Sequence, residues 1–385
     1  MIVSPARQVD FAPPSIGDSE IEEAMAVLTS GWLSTGPRVA RFEREFAAYC
    51  HAPYAVAVNS CTAALHLSLL AAGVGPGDEV ITSPLTFCAT ANVIVHVGAT
   101  PIFADVEPGT MNLCPDTVRA AVTPLTRALL PVHFAGRPAK SAAFREITER
   151  NGLVLIEDAA HAVEAATSGA RVGSVADFTC FSFCATKNMT TGGGGMVTTG
   201  PPEWAERIKV ASFHGMSRDA WSRYAHGGPS TYDVVMPGFE YNMTDLQAAL
   251  GLHQLAGLER RLARREAIWR MYDSGLASLP LTLPPQVPAG DRHARHLYTV
   301  LVDEEECGWS RDELQAALRA RGIATSVHFR AVHLHSFYHD RYGLKEGMFP
   351  VAESISARTL SLPLSAALGD EDVERVIEAL QECLR

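Results

Sequence analysis

The chain has 385 residues, 47% of them hydrophobic and 19% charged, a composition that suits one large and one smaller globular domain. Its formal net charge is −11, and the Lys and Arg residues are dispersed apart from one basic helical stretch between positions 260 and 265, which argues against a nucleic-acid partner. No run approaches about 18 apolar residues and the opening residues do not read as a signal peptide, so the expectation is a cytoplasmic protein that does not span a membrane.

Residues 18–30 and 37–50 carry helical apolar periodicity on either side of Gly31-Trp32-Leu33-Ser34-Thr35-Gly36-Pro37, a turn-rich loop. Short apolar runs then alternate with helices. Residues 55–58 read as a strand and 62–72 as a helix, 79–83 as a strand and 89–97 as a helix. Strands follow at 101–105 and 128–132, a helix at 141–151, and strands at 154–156 and 179–182. This alternation predicts a mostly parallel sheet covered on both faces. From Thr244 a long helix rich in Leu, Ala and Arg is expected to run to about Leu279, with a proline-rich connection over 280–288. The remainder reads as a smaller α+β unit: strand 297–302, helix 310–321, strand 325–328 and helix 370–384. The eight cysteines are scattered, which suits reduced thiols. Cys180 and Cys184 have no partners at zinc spacing, so no metal site is expected.

Open parallel sheets bind ligands at the carboxyl ends of their strands, and three segments end there with reactive residues. Asn59-Ser60-Cys61-Thr62-Ala63-Ala64 joins a strand to a helix and leaves backbone N–H groups for an anion; read alone it is an ordinary helix cap. Leu155-Ile156-Glu157-Asp158-Ala159-Ala160-His161 places a carboxylate past an apolar strand. Asp158 there suits a pyridine nitrogen that must stay protonated, and equally suits a helix cap. In the third segment, Phe181 to Gly195, Lys187 lies between an apolar strand and four glycines. A lysine in uncharged surroundings has a lowered pKa, and its neutral amine forms Schiff bases. The glycines let the backbone pass close to a ligand. They are not a dinucleotide fingerprint, because no acidic residue follows a strand at the required distance.

With these segments in order, the chain resembles the DegT/DnrJ/StrS family of sugar aminotransferases, within the fold-type-I pyridoxal-phosphate enzymes. The resemblance rests on E-D-A-A-H, on F-S-F-x-x-x-K-N-x-T with its glycines, and on Y-N-M-T-D-L-Q-A-A over 241–249. The opening G-W-L-S-T-G-P and V-H-F-R-A-V-H over 327–333 also match, so the likeness covers nearly the whole chain. It implies an α/β large domain, residues 12–253, with a mostly parallel seven-stranded sheet between helices, and a smaller α+β domain, residues 254–385. It implies Lys187 as the cofactor-binding lysine and Asp158 as partner of the pyridinium nitrogen. Thr62, Ala63 and Ser182 correspond to phosphate contacts, Phe87 to the aromatic residue stacked on the ring, and His161 to a residue close to the cofactor. Asn242 corresponds to a phosphate contact supplied by a second copy, which implies a homodimer with shared sites. His328 resembles a substrate-site histidine, with Arg330 beside it.

The implied activity is transfer of an amino group, from L-glutamate by resemblance, to a nucleotide-linked ketosugar. The likeness is greatest to enzymes acting at carbon four, such as those of the aminoarabinose pathway, because carbon-three relatives tend to carry an Asn-Ser-Arg-Leu-Asp type of segment where this chain has Tyr241-Asn242-Met243-Thr244-Asp245. Other readings are an aminotransferase of a 3-keto sugar or a cyclitol ketone, and a sugar dehydratase, which Lys187 disfavours because such relatives carry histidine there. A cofactor-sensing regulator would need a DNA-binding module, and the residues before Phe11 are too few for one. Two positions depart from the family pattern. Gly193 stands where a glutamate is common, and Glu164 stands where a glycine often follows E-D-A-A-H.

Overall fold

A computed structural model describes residues 8–217 and 232–384; residues 1–7, where the expectation about a signal peptide begins, lie outside that range. Seven strands form the main sheet: β1 (Tyr54–Val58), β2 (Glu79–Thr82), β3 (Thr100–Phe103), β4 (Thr126–Leu130), β5 (Val154–Asp158), β8 (Phe178–Ser182) and β9 (Gly195–Thr199). Their order is β1-β9-β8-β5-β4-β2-β3. Pairing is parallel from β8 through β5, β4 and β2 to β3, while β9 runs antiparallel to both of its neighbours. A two-residue hairpin, β6 (Ala166–Thr167) with β7 (Ala170–Arg171), stands apart.

The central strands read as continuous apolar runs because helices cover both faces. One face carries helix Cys61–Ala71, buried along most of its length, and helix Pro202–Ser212. A helix that is apolar nearly all round is one enclosed by protein. On the opposite face Phe42 and Phe46 of helix Pro37–Cys50 pack against Phe181 and Phe183, with Ala248 and Leu252 of helix Asp245–Ala256 beside them. Further along the sheet, Phe144 and Ile147 of helix Ser141–Asn151 cover β2 and β4.

The strand β9 is absent from the sequence reading, in which the glycines masked it. Gly195 pairs with Val58 on one side and Ser182 on the other, so it holds the ends of β1 and β8 one strand apart. A Cβ there would lie 2.5 Å from the Ser60 carbonyl carbon and 2.7 Å from the Cys61 nitrogen, a contact only glycine avoids.

The expected single helix from Thr244 to Leu279 is two helices, Asp245–Ala256 and Leu258–Leu276, broken at Gly257. Thr244 does cap the first, reciprocally with Gln247, as a capping box requires. The break hands the chain from the first core to the second, where Ile268, Trp269 and Tyr272 meet helices Arg311–Ala320 and Asp370–Leu384. The second core lies on an antiparallel sheet of β10 (Leu281–Thr282), β11 (Tyr298–Val302) and β12 (Thr359–Leu362). The expected strand at 325–328 is not one. Only Ser326 pairs, with Ser361, and the Thr359 hydroxyl donates to the His328 carbonyl at 3.0 Å. Among the described residues no helix is long and apolar enough to cross a membrane.

Candidate active site

The carboxyl ends of β1, β5 and β8 open onto a cavity of about 540 Å³, within the range that holds a cofactor-sized ligand. Thr62, Phe87, Asp158, His161, Ser182, Lys187 and His328 all line it. Seven of the residues singled out in the sequence therefore meet in one place, although up to 266 positions separate them.

Lys187 follows a short loop after β8 and is half-buried. Loss of water pushes its amine below the ordinary lysine value, against the opposing pull of Asp158 and of the Cys61 and Cys184 thiols. That favours the neutral, nucleophilic form. Asp158 closes β5. One of its oxygens accepts from the Thr90 hydroxyl at 2.8 Å and the other from the Ala160 N–H at 3.1 Å. Burial raises its pKa, while those two hydrogen bonds and the charge of Lys187 pull it back. A buried carboxylate in this position is stabilised by any cation brought opposite it.

Ser60 caps helix Cys61–Ala71, its hydroxyl accepting from the Ala63 N–H at 3.0 Å. The remaining N–H groups of the first turn stand at the helix's positive end, where Thr62 and Ser182 line the cavity, an arrangement that favours an anion. Ala63 itself is buried, with its N–H committed to the cap. Phe87 is 60% exposed although it sits just before helix Cys88–His96. Its ring has open space rather than core to face, and Phe329 stands 6.2 Å away across the cavity. Burial, then Lys187, push the His161 imidazole well below its usual pKa, and its buried Nδ1 has no partner among the described residues. His328 is lowered to about 4 by burial and then Lys187, and its Nδ1 lies 2.9 Å from the Ser361 hydroxyl.

The DegT/DnrJ/EryC1/StrS aminotransferase family profile matches residues 14–381. The chain belongs to this family. It is 50% identical over 376 residues to the spore coat polysaccharide biosynthesis protein SpsC of Bacillus subtilis, 97% of each chain being covered. Among solved structures it superposes on the putative sugar aminotransferase Spr1654 of Streptococcus pneumoniae in its PMP form with a TM-score of 0.91, at 34% identity and 98% coverage of both chains. It also superposes on S. venezuelae DesV with a TM-score of 0.85, at 40% identity over 94% of this chain and 93% of that one.

Besides Ala63, two residues expected at the site do not line this cavity. Arg330 is exposed and donates to the Leu334 carbonyl at 2.9 Å, which turns it along its own loop. Asn242 lines a different cleft, of about 630 Å³, with Trp32 and Thr35. Its amide nitrogen donates to the Thr35 hydroxyl at 2.8 Å, and its buried oxygen has no partner among the described residues. Three residues at or beside the cavity escaped the sequence reading. Thr90 sits one helical turn beyond Phe87, a spacing that was available as a signal. Phe329 is the neighbour of His328. His296 packs its ring 4.3 Å from that of His161 and comes from a segment with no motif to betray it.

Proposed function

We propose that this protein is a pyridoxal-phosphate-dependent aminotransferase that moves the amino group of L-glutamate to carbon four of a nucleotide-linked 4-keto-deoxysugar. The observation that carries the reading is the pairing, in one cavity, of a desolvated lysine amine with a buried carboxylate. The residues present fit the cofactor. The cradle at Ser60, Cys61 and Gly195 closes around a helix N-terminus of a kind that receives phosphate. Asp158 offers the carboxylate a protonated ring nitrogen needs, and Phe87 offers an aromatic face. Support also comes from Spr1654, which was solved in both PLP and PMP forms, and from the polysaccharide role in the name of the Bacillus relative.

Pyridoxal phosphate supplies an electron sink for negative charge at the carbon that bears the amino group. Lys187 Nζ, whose proton desolvation loosens, would bind the cofactor; when free, it would carry the proton of the substrate carbon. The Asp158 carboxylate would hold a proton on the cofactor's ring nitrogen. Thr62, Ser182 and the helix N-terminus would hold the phosphate. Phe87 and Phe329 form walls that exclude water from the reacting carbon. One amine in one position serves both half-reactions, which predicts ping-pong kinetics.

The sugar enters from the mouth near His328. Its nucleotide docks outside, and the ring carbon that comes within roughly 3–3.5 Å of the reacting nitrogen is the one aminated. The test is a panel of nucleotide-linked 4-keto and 3-keto sugars assayed with glutamate, with the new amine located by NMR. Amination at carbon four is expected, and faster turnover of a 3-keto isomer would overturn the regiochemistry.

A further inference from the structure

Behind the cavity lies a buried polar chain that the reaction as described does not use. Glu164, in the turn after β5, is fully buried and forms an ion pair with Arg265 of helix Leu258–Leu276. Its other oxygen accepts from the Asn188 side-chain amide at 2.8 Å. That amide also donates to the Ala294 carbonyl at 2.8 Å. A carboxylate and a carbonyl only accept, so both amide hydrogens are committed and the orientation of Asn188 is fixed. The Asn188 oxygen must then accept from His296 Nδ1, 2.9 Å away. His296 therefore carries its proton on Nδ1, with its ring against that of His161 in the cavity wall. Asn188 is also the residue next to Lys187.

We propose that Glu164 is a positioning residue of the active site, acting through Asn188 to fix the tautomer and placement of His296, and thereby the seat of His161 and Lys187. Burial, and then Lys187, keep His296 and His161 uncharged, so a proton pattern set by hydrogen bonding is the one these rings keep. The titratable groups coupled to Lys187 are Asp158, Cys61 and Cys184, which favour its charge, and His161, His296 and His328, whose pKa values it lowers. The chain of contacts from Glu164 ends on two of the six. Glutamine at 164 keeps the size and fails the pattern. Its single acceptor oxygen serves Arg265 or Asn188, and its N–H2 then confronts the other donor.

The inference rests on Lys187 binding the cofactor, and a Lys187→Ala chain made in parallel tests that reading alone, by the loss of the visible band of the loaded protein. The measurement is the pH titration of that band in Glu164→Gln, Glu164→Asp, Asn188→Ala and the Glu164→Gln/Asn188→Ala double variant, with melting temperatures of the apoproteins alongside. Releasing the His296 and His161 rings beside the lysine should move the midpoint by about half a pH unit or more in Glu164→Gln and in Asn188→Ala alike. A fall in kcat of about tenfold should accompany it, with KM for the amino donor little changed. Glu164→Asp should recover part of the shift. The double variant should shift no further than the larger single one, because both changes cut one path. Unchanged midpoints in Glu164→Gln and Asn188→Ala, whatever their melting temperatures, would reduce Glu164 to a structural ion pair; so would fully additive shifts. Should Glu164→Gln fail to fold, Glu164→Asp and Asn188→Ala decide the matter by the same midpoint.

Discussion

Asp158 and Lys187 lie 29 positions apart in the sequence, yet each owes its chemistry to the same cause, removal from water. The two shifts oppose one another in sign. The lysine loses its proton more readily and the aspartate holds one more readily, while each charge favours the other. A cation opposite Asp158 resolves the conflict for the carboxylate, and that is the role its hydrogen bonds from Thr90 and Ala160 prepare it for. Asp158→Asn should therefore leave the melting temperature within a few degrees of the parent and remove most of the rate. A hundredfold loss in kcat corresponds to about 2.7 kcal/mol at about 1.36 kcal/mol per factor of ten. Turnover at the parental level would remove Asp158 from the mechanism. The chemistry of these two residues was legible in the sequence because reactive residue types stood at strand ends. Glu164 was legible only as a departure from pattern, since its partners Arg265, Asn188 and His296 are brought to it by tertiary packing alone.

At the scale of elements, the glycine run illustrates what a sequence pattern leaves open. Four consecutive glycines announce close approach of backbone to something, without saying which of them is needed. Gly195 is the one pinned against the turn between β1 and its helix, whereas a Cβ on Gly193 meets nothing within 4 Å. Gly195→Ala should displace that turn and weaken cofactor binding by about tenfold or more, while Gly193→Ala should leave it unchanged. Equilibrium titration of the apoproteins with pyridoxal phosphate compares them, and equal affinities in the two variants would contradict the assignment. Helical and parallel-strand periodicity survives in the sequence because it is local. β9 was hidden because it opens on the glycine run, and the break at Gly257 because an isolated glycine in a helical pattern gives no sign of which core each half will join.

On the whole molecule, helix Asp18–Ser30 turns Ile21, Met25 and Leu28 outward at helical spacing, and Trp32 and Leu33 extend the apolar stripe into the following loop. That loop reaches Asn242 through Thr35. We infer that a second copy covers this face and that Asn242 serves the neighbouring cavity. If so, Lys187→Ala and Asn242→Ala chains, each inactive alone, should regain about a quarter of parental activity in a random mixture, since half the dimers then hold one intact site of two. No recovery in demonstrably mixed dimers would contradict shared sites, and a monomeric protein in solution would contradict the interface altogether.

The proposed chemistry requires a cofactor bond at Lys187. Borohydride reduction of the cofactor-loaded protein, followed by peptide mapping, should place the label on the single peptide containing Lys187 and leave none on the Lys187→Ala chain. A label fixed to any other lysine, or a visible band that persists in Lys187→Ala, would contradict it.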